Sequence, residues 1–157
     1  MSTTTVREEI DAFLASPRLA IVGVPRDSKE FGQQLYADLR KWGYDAVAVS
    51  PNLKTIGDAP AYARVQDIPG GADGALLLTS PALNEQLVRD CAEAGIKRVW
   101  FYGVSDRSAD NAAAIAYCQQ HSIAVIPGYC PYMFAQRSPF FHKIHGFVAK
   151  VVGQYPR

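Results

Sequence analysis

Short unbroken apolar runs alternate along the chain with stretches whose apolar residues recur at helical spacing. Leu19 to Val24, Ala46 to Val49, Gly74 to Thr79, Arg98 to Tyr102 and Ile123 to Ile126 have strand length, and Pro60 to Tyr62 fits a shorter strand. Helical spacing marks Val6 to Ala15 after a Thr-rich start, and Phe31 to Trp42. In the latter, Phe31, Leu35, Leu39 and Trp42 share a face and Gly43 closes the helix. A third helix starts at Pro81 and stops at Ala94-Gly95, and an Ala-rich fourth is predicted over Ser108 to His121. Ile68 to Gly71 reads as a loop. Strands apolar throughout, separated by helices of this length, predict an α/β fold: a doubly wound, mostly parallel sheet covered on both faces, in a single three-layer domain.

Length supports one domain over 1–157, with 1–17 supplying a leading helix. Beyond Gly128 the alternation stops, and 129–157 reads as an aromatic tail that packs on the domain or on a partner. Sixteen Lys and Arg against fifteen Asp and Glu leave a net charge of +1, which predicts no general affinity for nucleic acid or anionic membrane. Any basic site must be local. No apolar run approaches the ~20 residues of a membrane span, and the charged start lacks a signal-peptide core, so a cytoplasmic protein is expected. Cys91, Cys118 and Cys130 are odd in number and widely spaced, which favours reduced thiols over a disulfide framework.

In an open parallel sheet, ligands bind outside the carboxyl ends of the strands. The residues to watch are therefore Gly23-Val24-Pro25, Ser50-Pro51-Asn52, Thr79-Ser80-Pro81, Gly103-Val104-Ser105 and Pro127-Gly128. Leu19 to Gly32 places a glycine turn and a charged loop between a strand and a helix, an arrangement suited to an anionic group. It is not a nicotinamide-cofactor fingerprint, because Pro25 stands where G-x-G-x-x-G needs its second glycine. Arg26 and Lys29 add local positive charge, partly cancelled by Asp27 and Glu30, while Ser28 fits an ordinary N-cap. A ribose-binding Asp or Glu is expected about 20 residues on in NAD sites. Here the second strand ends in Ser50-Pro51, with Lys54 close behind. A cation without a carboxylate suits a ribose bearing an extra phosphate, as in coenzyme A or NADP; Lys54 as a solvated loop residue is the competing reading.

The stretch IVGVPRDSKEFGQQLYADLRKWGYDAVAVSPN, followed by IGDAPAYARVQDIPG, resembles the small stand-alone coenzyme A binding proteins with a Rossmann-like fold. These are similar to the CoA-binding domain of the succinyl-CoA synthetase α subunit. The resemblance covers nearly the whole chain, including the GYCPYMF and FFHKIHGFVAKVVGQYP segments. It implies that Gly23, Val24 and Pro25 take the pyrophosphate, that Ser50 and Pro51 flank the adenosine, and that Lys54 meets the 3′-phosphate. It also implies that Thr79, Ser80 and Pro81 border the pantetheine path. The chain departs from many relatives in offering Thr79 near the end of the fourth strand where they carry arginine, and Tyr102 after the fifth where they carry glutamine.

Gly103 and Cys130 follow the last two strands on the same side as the ligand would bind. Cys130 has two readings: a thiol that reacts with coenzyme A or senses oxidation, or a small apolar residue packed beside Met133 and Phe134. His142 and His145 form H-x-x-H, with Cys130 a conceivable third ligand, but the set lacks the glutamate of a zinc-protease motif and no metal is expected. His121 sits where a helix C-terminus favours positive charge. Asp106 and Arg107 fit a solvated helix start. No G-x-S-x-G elbow or acid–base pair stands out. The expectation is a coenzyme A or acyl-CoA binding protein acting as a non-catalytic carrier, sensor or regulator. The alternative is a minimal NADP-dependent or CoA-thioester enzyme. Tyr129, Tyr132, Phe134, Phe140, Phe141 and Phe147 either close the core or form a homo-oligomer interface.

Overall fold

The structure, a computed structural model, describes residues 4–103 and 106–135. Helix α1 (Val6–Leu14) leads into β1 (Leu19–Val22), α2 (Phe31–Lys41), β2 (Ala46–Val49), β3 (Thr55–Ile56) and β4 (Ala59–Tyr62). Then come β5 (Gly74–Leu77), α3 (Pro81–Glu93), β6 (Arg98–Phe101), α4 (Ala112–Gln120) and β7 (Ala124–Ile126). The strands form one sheet in the order β3-β4-β2-β1-β5-β6-β7. Every pairing is parallel except the short β3–β4 hairpin. The chain moves outward from β1 to β2 and then crosses back to β5, so the order reverses beside β1. The α/β fold with its mostly parallel sheet is thus the one the apolar runs predict.

Strand side chains alternate between two cores. Leu19, Ile21, Ala46, Ala48, Leu76, Trp100 and Ile126 pack under α1 and α2, with Ile10, Phe13, Leu35 and Leu39 from the helices. Ala20, Val22, Val49, Ala75, Leu77, Val99 and Phe101 face α3 and α4, meeting Val88, Cys91, Ala114 and Cys118. Trp100 is fully buried, packs edge-on against Phe13 with ring centroids 5.3 Å apart, and donates its indole N–H to the Gly128 carbonyl at 2.7 Å. The aromatic segment joins the first core through Phe134 and Ala135, both buried, and the Tyr132 hydroxyl donates to Asp38 on α2 at 2.5 Å. Arg7 of α1 lies over the Phe134 ring, 5.1 Å from its centroid.

Three expectations need correction. The β3 strand was not anticipated. Helix α4 begins at Ala112, not Ser108, because local side-chain bonds compete with the helix there. The Asp106 carboxylate accepts the Ser108 N–H at 2.8 Å, Arg107 pairs with Asp110 at 3.0 Å, and the Asn111 amide donates to the Arg107 carbonyl at 3.3 Å. Third, Glu30 and not Ser28 is the N-cap of α2, since Asp27 organises the preceding turn by accepting the Lys29 N–H at 2.8 Å. The readings of Val104, Ser105, His142, His145 and the aromatics from Phe140 onward lie outside the described residues. No described helix is long and apolar enough to cross a membrane.

Candidate functional site

The reversal of strand order brings the carboxyl ends of β1, β2 and β5 together around a cleft of about 330 Å³. That is the lower end of the size range of small-molecule sites, ~300–1,000 Å³. Its wall is Gly23, Val24, Pro25, Arg26, Ser50, Pro51, Asn52, Leu53, Thr79 and Leu83. Seven of these, Gly23, Val24, Pro25, Arg26, Ser50, Pro51 and Thr79, are among the binding residues expected from the sequence. Asn52 was noted only as part of a strand end, and Leu53 and Leu83 were not anticipated. Lys29, Lys54, Ser80, Pro81, Gly103 and Cys130 do not line this cleft.

Each wall segment is held by its own contacts. Gly23 has φ +89 and donates its N–H to the Val49 carbonyl at 2.9 Å, which ties the turn to β2. A β-carbon there would lie 2.7 Å from Thr79 Cγ2 and 3.4 Å from the Leu78 carbonyl carbon, so the turn also touches the end of β5. The Gln33 side chain on α2 donates to the carbonyls of both Pro25 and Arg26 at 3.1 Å, fixing the loop over the helix. Arg26 crosses to the second strand end, where its guanidinium donates to the Asn52 carbonyl at 3.2 Å. Ser50 is buried, and its N–H donates to Tyr62 at 2.8 Å.

The electrostatics are simple. Arg26 is the one ionisable side chain among the residues lining the cleft, and it is exposed. At the end of β2 the wall offers Ser50, Pro51 and Asn52, with no carboxylate. Among the described residues no cluster of three or more His, Cys, Asp or Glu could hold a metal. Cys130 is half-buried and lies near Tyr102. There burial first, and then the neighbouring Cys130, hold the Tyr102 phenol above its ordinary range. A second cleft of about 270 Å³ lies around the amino ends of β2 and β4, but its charges are already engaged. Arg18 pairs with Asp45 at 3.1 Å, and Arg40 donates to the Tyr36 hydroxyl at 2.9 Å.

Sequence reasoning missed the residues behind the wall. Gln33 and Asn84 do not touch the strand ends in sequence. Asn84 carried a signal nonetheless. It occupies the first place in the buried stripe Asn84, Val88, Cys91 of α3, where a hydrophobic residue would be expected.

A glycine turn, a carboxylate-free second strand end and a lone arginine meet at the switch point of an open α/β sheet, the place where such sheets bind ligands. Residues 17–136 match the CoA binding domain family, and the chain belongs to that family. It is 26% identical over 91 residues to the α subunit of acetate–CoA ligase [ADP-forming] II of Pyrococcus furiosus. The match takes in 57% of this chain and 20% of the subunit, so the chain spans about a fifth of that relative's length. Among solved structures it is similar to Prb, the PH1109 protein redesigned for binding, with a TM-score of 0.73 at 20% identity, covering 85% of this chain and 91% of the other. It is also similar to the dinucleotide-forming acetyl-coenzyme A synthetase 1 of Ca. Korarchaeum cryptofilum in complex with phosphate and ADP. There the TM-score is 0.64 at 19% identity, over 73% of this chain and 26% of that one. These two likenesses show the shared fold.

Proposed function

We propose that this chain binds coenzyme A or an acyl-CoA in the cleft at the β1, β2 and β5 strand ends, and that it acts as a carrier, sensor or regulator without transforming the ligand. The observation that carries the reading is the pairing of the Gly23 turn with a carboxylate-free Ser50-Pro51 strand end in a member of the CoA binding domain family. In this reading Gly23, Val24 and Pro25 receive the pyrophosphate, Arg26 balances its charge, and Ser50 and Pro51 flank the adenosine. Lys54, on the exposed loop beyond Pro51, extends toward the 3′-phosphate, with Lys29 contributing only long-range attraction. Thr79, Ser80 and Pro81 border the pantetheine arm, whose thiol end runs toward Gly103 and Cys130.

The non-catalytic part is supported by the lining itself. General acid–base chemistry needs a group that exchanges protons near neutral pH, and an arginine does not. Thermal denaturation with coenzyme A, acetyl-CoA, NADP, NAD and ATP tests the reading. Ligand at 100 times its Kd stabilises by about 2.7 kcal/mol, which raises Tm by roughly 5–10 °C for a domain of this size. A rise with coenzyme A and none with NAD is expected. A rise with NADP but none with coenzyme A would replace this reading with the nicotinamide one.

A further inference from the structure

A line of polar side chains runs from the cleft wall into the α3–α4 side of the molecule. Thr79 Oγ1 donates to Asn84 Oδ1 at 2.5 Å, Asn84 Nδ2 to Asn111 Oδ1 at 2.7 Å, and Asn111 Nδ2 to the Arg107 carbonyl at 3.3 Å. Asn84 and Asn111 are 2% and 4% exposed, so bulk water does not compete for the bonds between them.

Its direction follows from one end. A main-chain carbonyl can only accept, so the NH₂ of Asn111 must face Arg107 and its Oδ1 must face Asn84. Asn84 then turns its own NH₂ to Asn111 and its Oδ1 to Thr79. Two oxygens cannot share a hydrogen bond without a proton, so Thr79 is the donor. A hydroxyl has one proton and two lone pairs. The Thr79 proton is committed to Asn84, while its methyl packs against the Gly23 turn.

We infer that Thr79 faces the cleft as a hydrogen-bond acceptor only, so that it selects a ligand N–H or O–H at this point and rejects a phosphate oxygen. The inference rests on the coenzyme A reading of the cleft for the identity of the ligand group. In that ligand the matching donors are the amide N–H groups and the hydroxyl of the pantetheine arm. The phosphates carry only acceptors at neutral pH and belong on the Gly23 side. Asn84 and Asn111 act through Thr79 and are positioning residues. A threonine free to rotate its hydroxyl would serve either partner; the asparagine pair removes that freedom.

Isothermal titration of the Thr79→Val and Thr79→Ser variants with coenzyme A and with 3′-phospho-ADP, which lacks the arm, tests the assignment. Valine keeps the methyl against Gly23 and removes the oxygen. Losing one neutral hydrogen bond predicts coenzyme A affinity about five- to tenfold weaker. The 3′-phospho-ADP affinity stays within about twofold, and serine restores coenzyme A binding. Equal losses for both ligands would put Thr79 on the phosphates and overturn the inference. No loss for either ligand would also overturn it. Trans-hydrogen-bond NMR couplings in the unmutated, isotope-labelled protein test the direction without ligand. Coupling is expected from Asn84 Nδ2 to the Asn111 side-chain carbonyl and from Asn111 Nδ2 to the Arg107 carbonyl. Its absence would overturn the polarity argument. Couplings present in a chain that does not bind coenzyme A would instead refute the ligand reading and leave the acceptor-only wall in place.

Discussion

Replacing Gly23 by alanine combines two costs that other glycines in this chain present separately. At φ +89 an L side chain is strained by about 1–2 kcal/mol. The new methyl would also sit 2.7 Å from Thr79 Cγ2, well inside contact distance, and Thr79 cannot swing aside without giving up its bond to Asn84. Overpacking of this kind costs about 1–3 kcal/mol, while stiffening the unfolded chain returns about 0.4–1. The net expectation is roughly 2–4 kcal/mol, or roughly 5–15 °C in Tm. Gly95→Ala isolates the first cost, since Gly95 has φ +78 and nothing within 4 Å of an added carbon; it should lose only about 1 kcal/mol. Gly32→Ala isolates the second, because its added carbon would meet Pro25 Cδ at 2.7 Å while its backbone is helical. Urea unfolding at constant m-value gives the stabilities, and titration with coenzyme A gives the affinities. Gly23→Ala should weaken binding more than tenfold, with Gly95→Ala unchanged within about twofold. A Gly23→Ala variant no less stable than Gly95→Ala would refute the close contact between the β1 turn and the β5 end.

Arg26→Gln should weaken coenzyme A binding by about five- to tenfold, the worth of one charge-assisted contact, and should flatten the dependence of affinity on potassium chloride. An unchanged salt dependence would mean that Arg26 does not face the phosphates. Stability should also fall in alkali. Burial raises the Cys91 thiol, helped by Cys118 and Asp90, and pushes Cys118 up to about 12. Both groups hold their protons more tightly folded than unfolded. Their contribution is therefore full below the unfolded thiol value near 8.5 and is lost as pH rises from about 9 to 12. Each can steepen the decline by at most about 1.4 kcal/mol per pH unit. Urea midpoints between pH 7 and 11 should fall less steeply in a Cys91→Ala/Cys118→Ala variant; parallel curves would contradict the assignment.

Among the described residues, apolar runs and helical spacing announced six of the seven strands and all four α-helices, because most of these strands are buried on both faces and have no polar positions to disguise them. Thr55-Ile56 escaped notice since two residues carry no period. The start of α4 was misplaced because Ser108, Ala109, Asp110 and Asn111 tolerate a helix by composition, while the Asp106 carboxylate accepts the Ser108 N–H and the Asn111 side chain donates to the Arg107 carbonyl. The cleft was legible where it depends on topology, at Gly23, Ser50, Pro51 and Thr79. Charge alone was a poorer guide. Arg26 reaches the wall by bonding across to Asn52, whereas Lys29 and Lys54 sit on exposed loop positions outside the lining. Contacts between loops distant in sequence, such as Thr79 with Gly23 or Asn84 with Asn111, leave no local pattern to read.

The first helix is packed against the last of the described elements. Phe13 lies edge-on to Trp100, Arg7 covers Phe134, and Glu9 is 3.4 Å from Arg98. During synthesis α1 therefore lacks these partners until about 120 further residues, from Leu14 to Phe134, have been made. At ~5–20 residues per second that wait lasts on the order of ten seconds. In this interval the apolar side chains of Ile10, Phe13 and Leu14, buried in the folded protein, lack part of their cover. The first core is therefore complete only when Trp100 and Phe134 are in place.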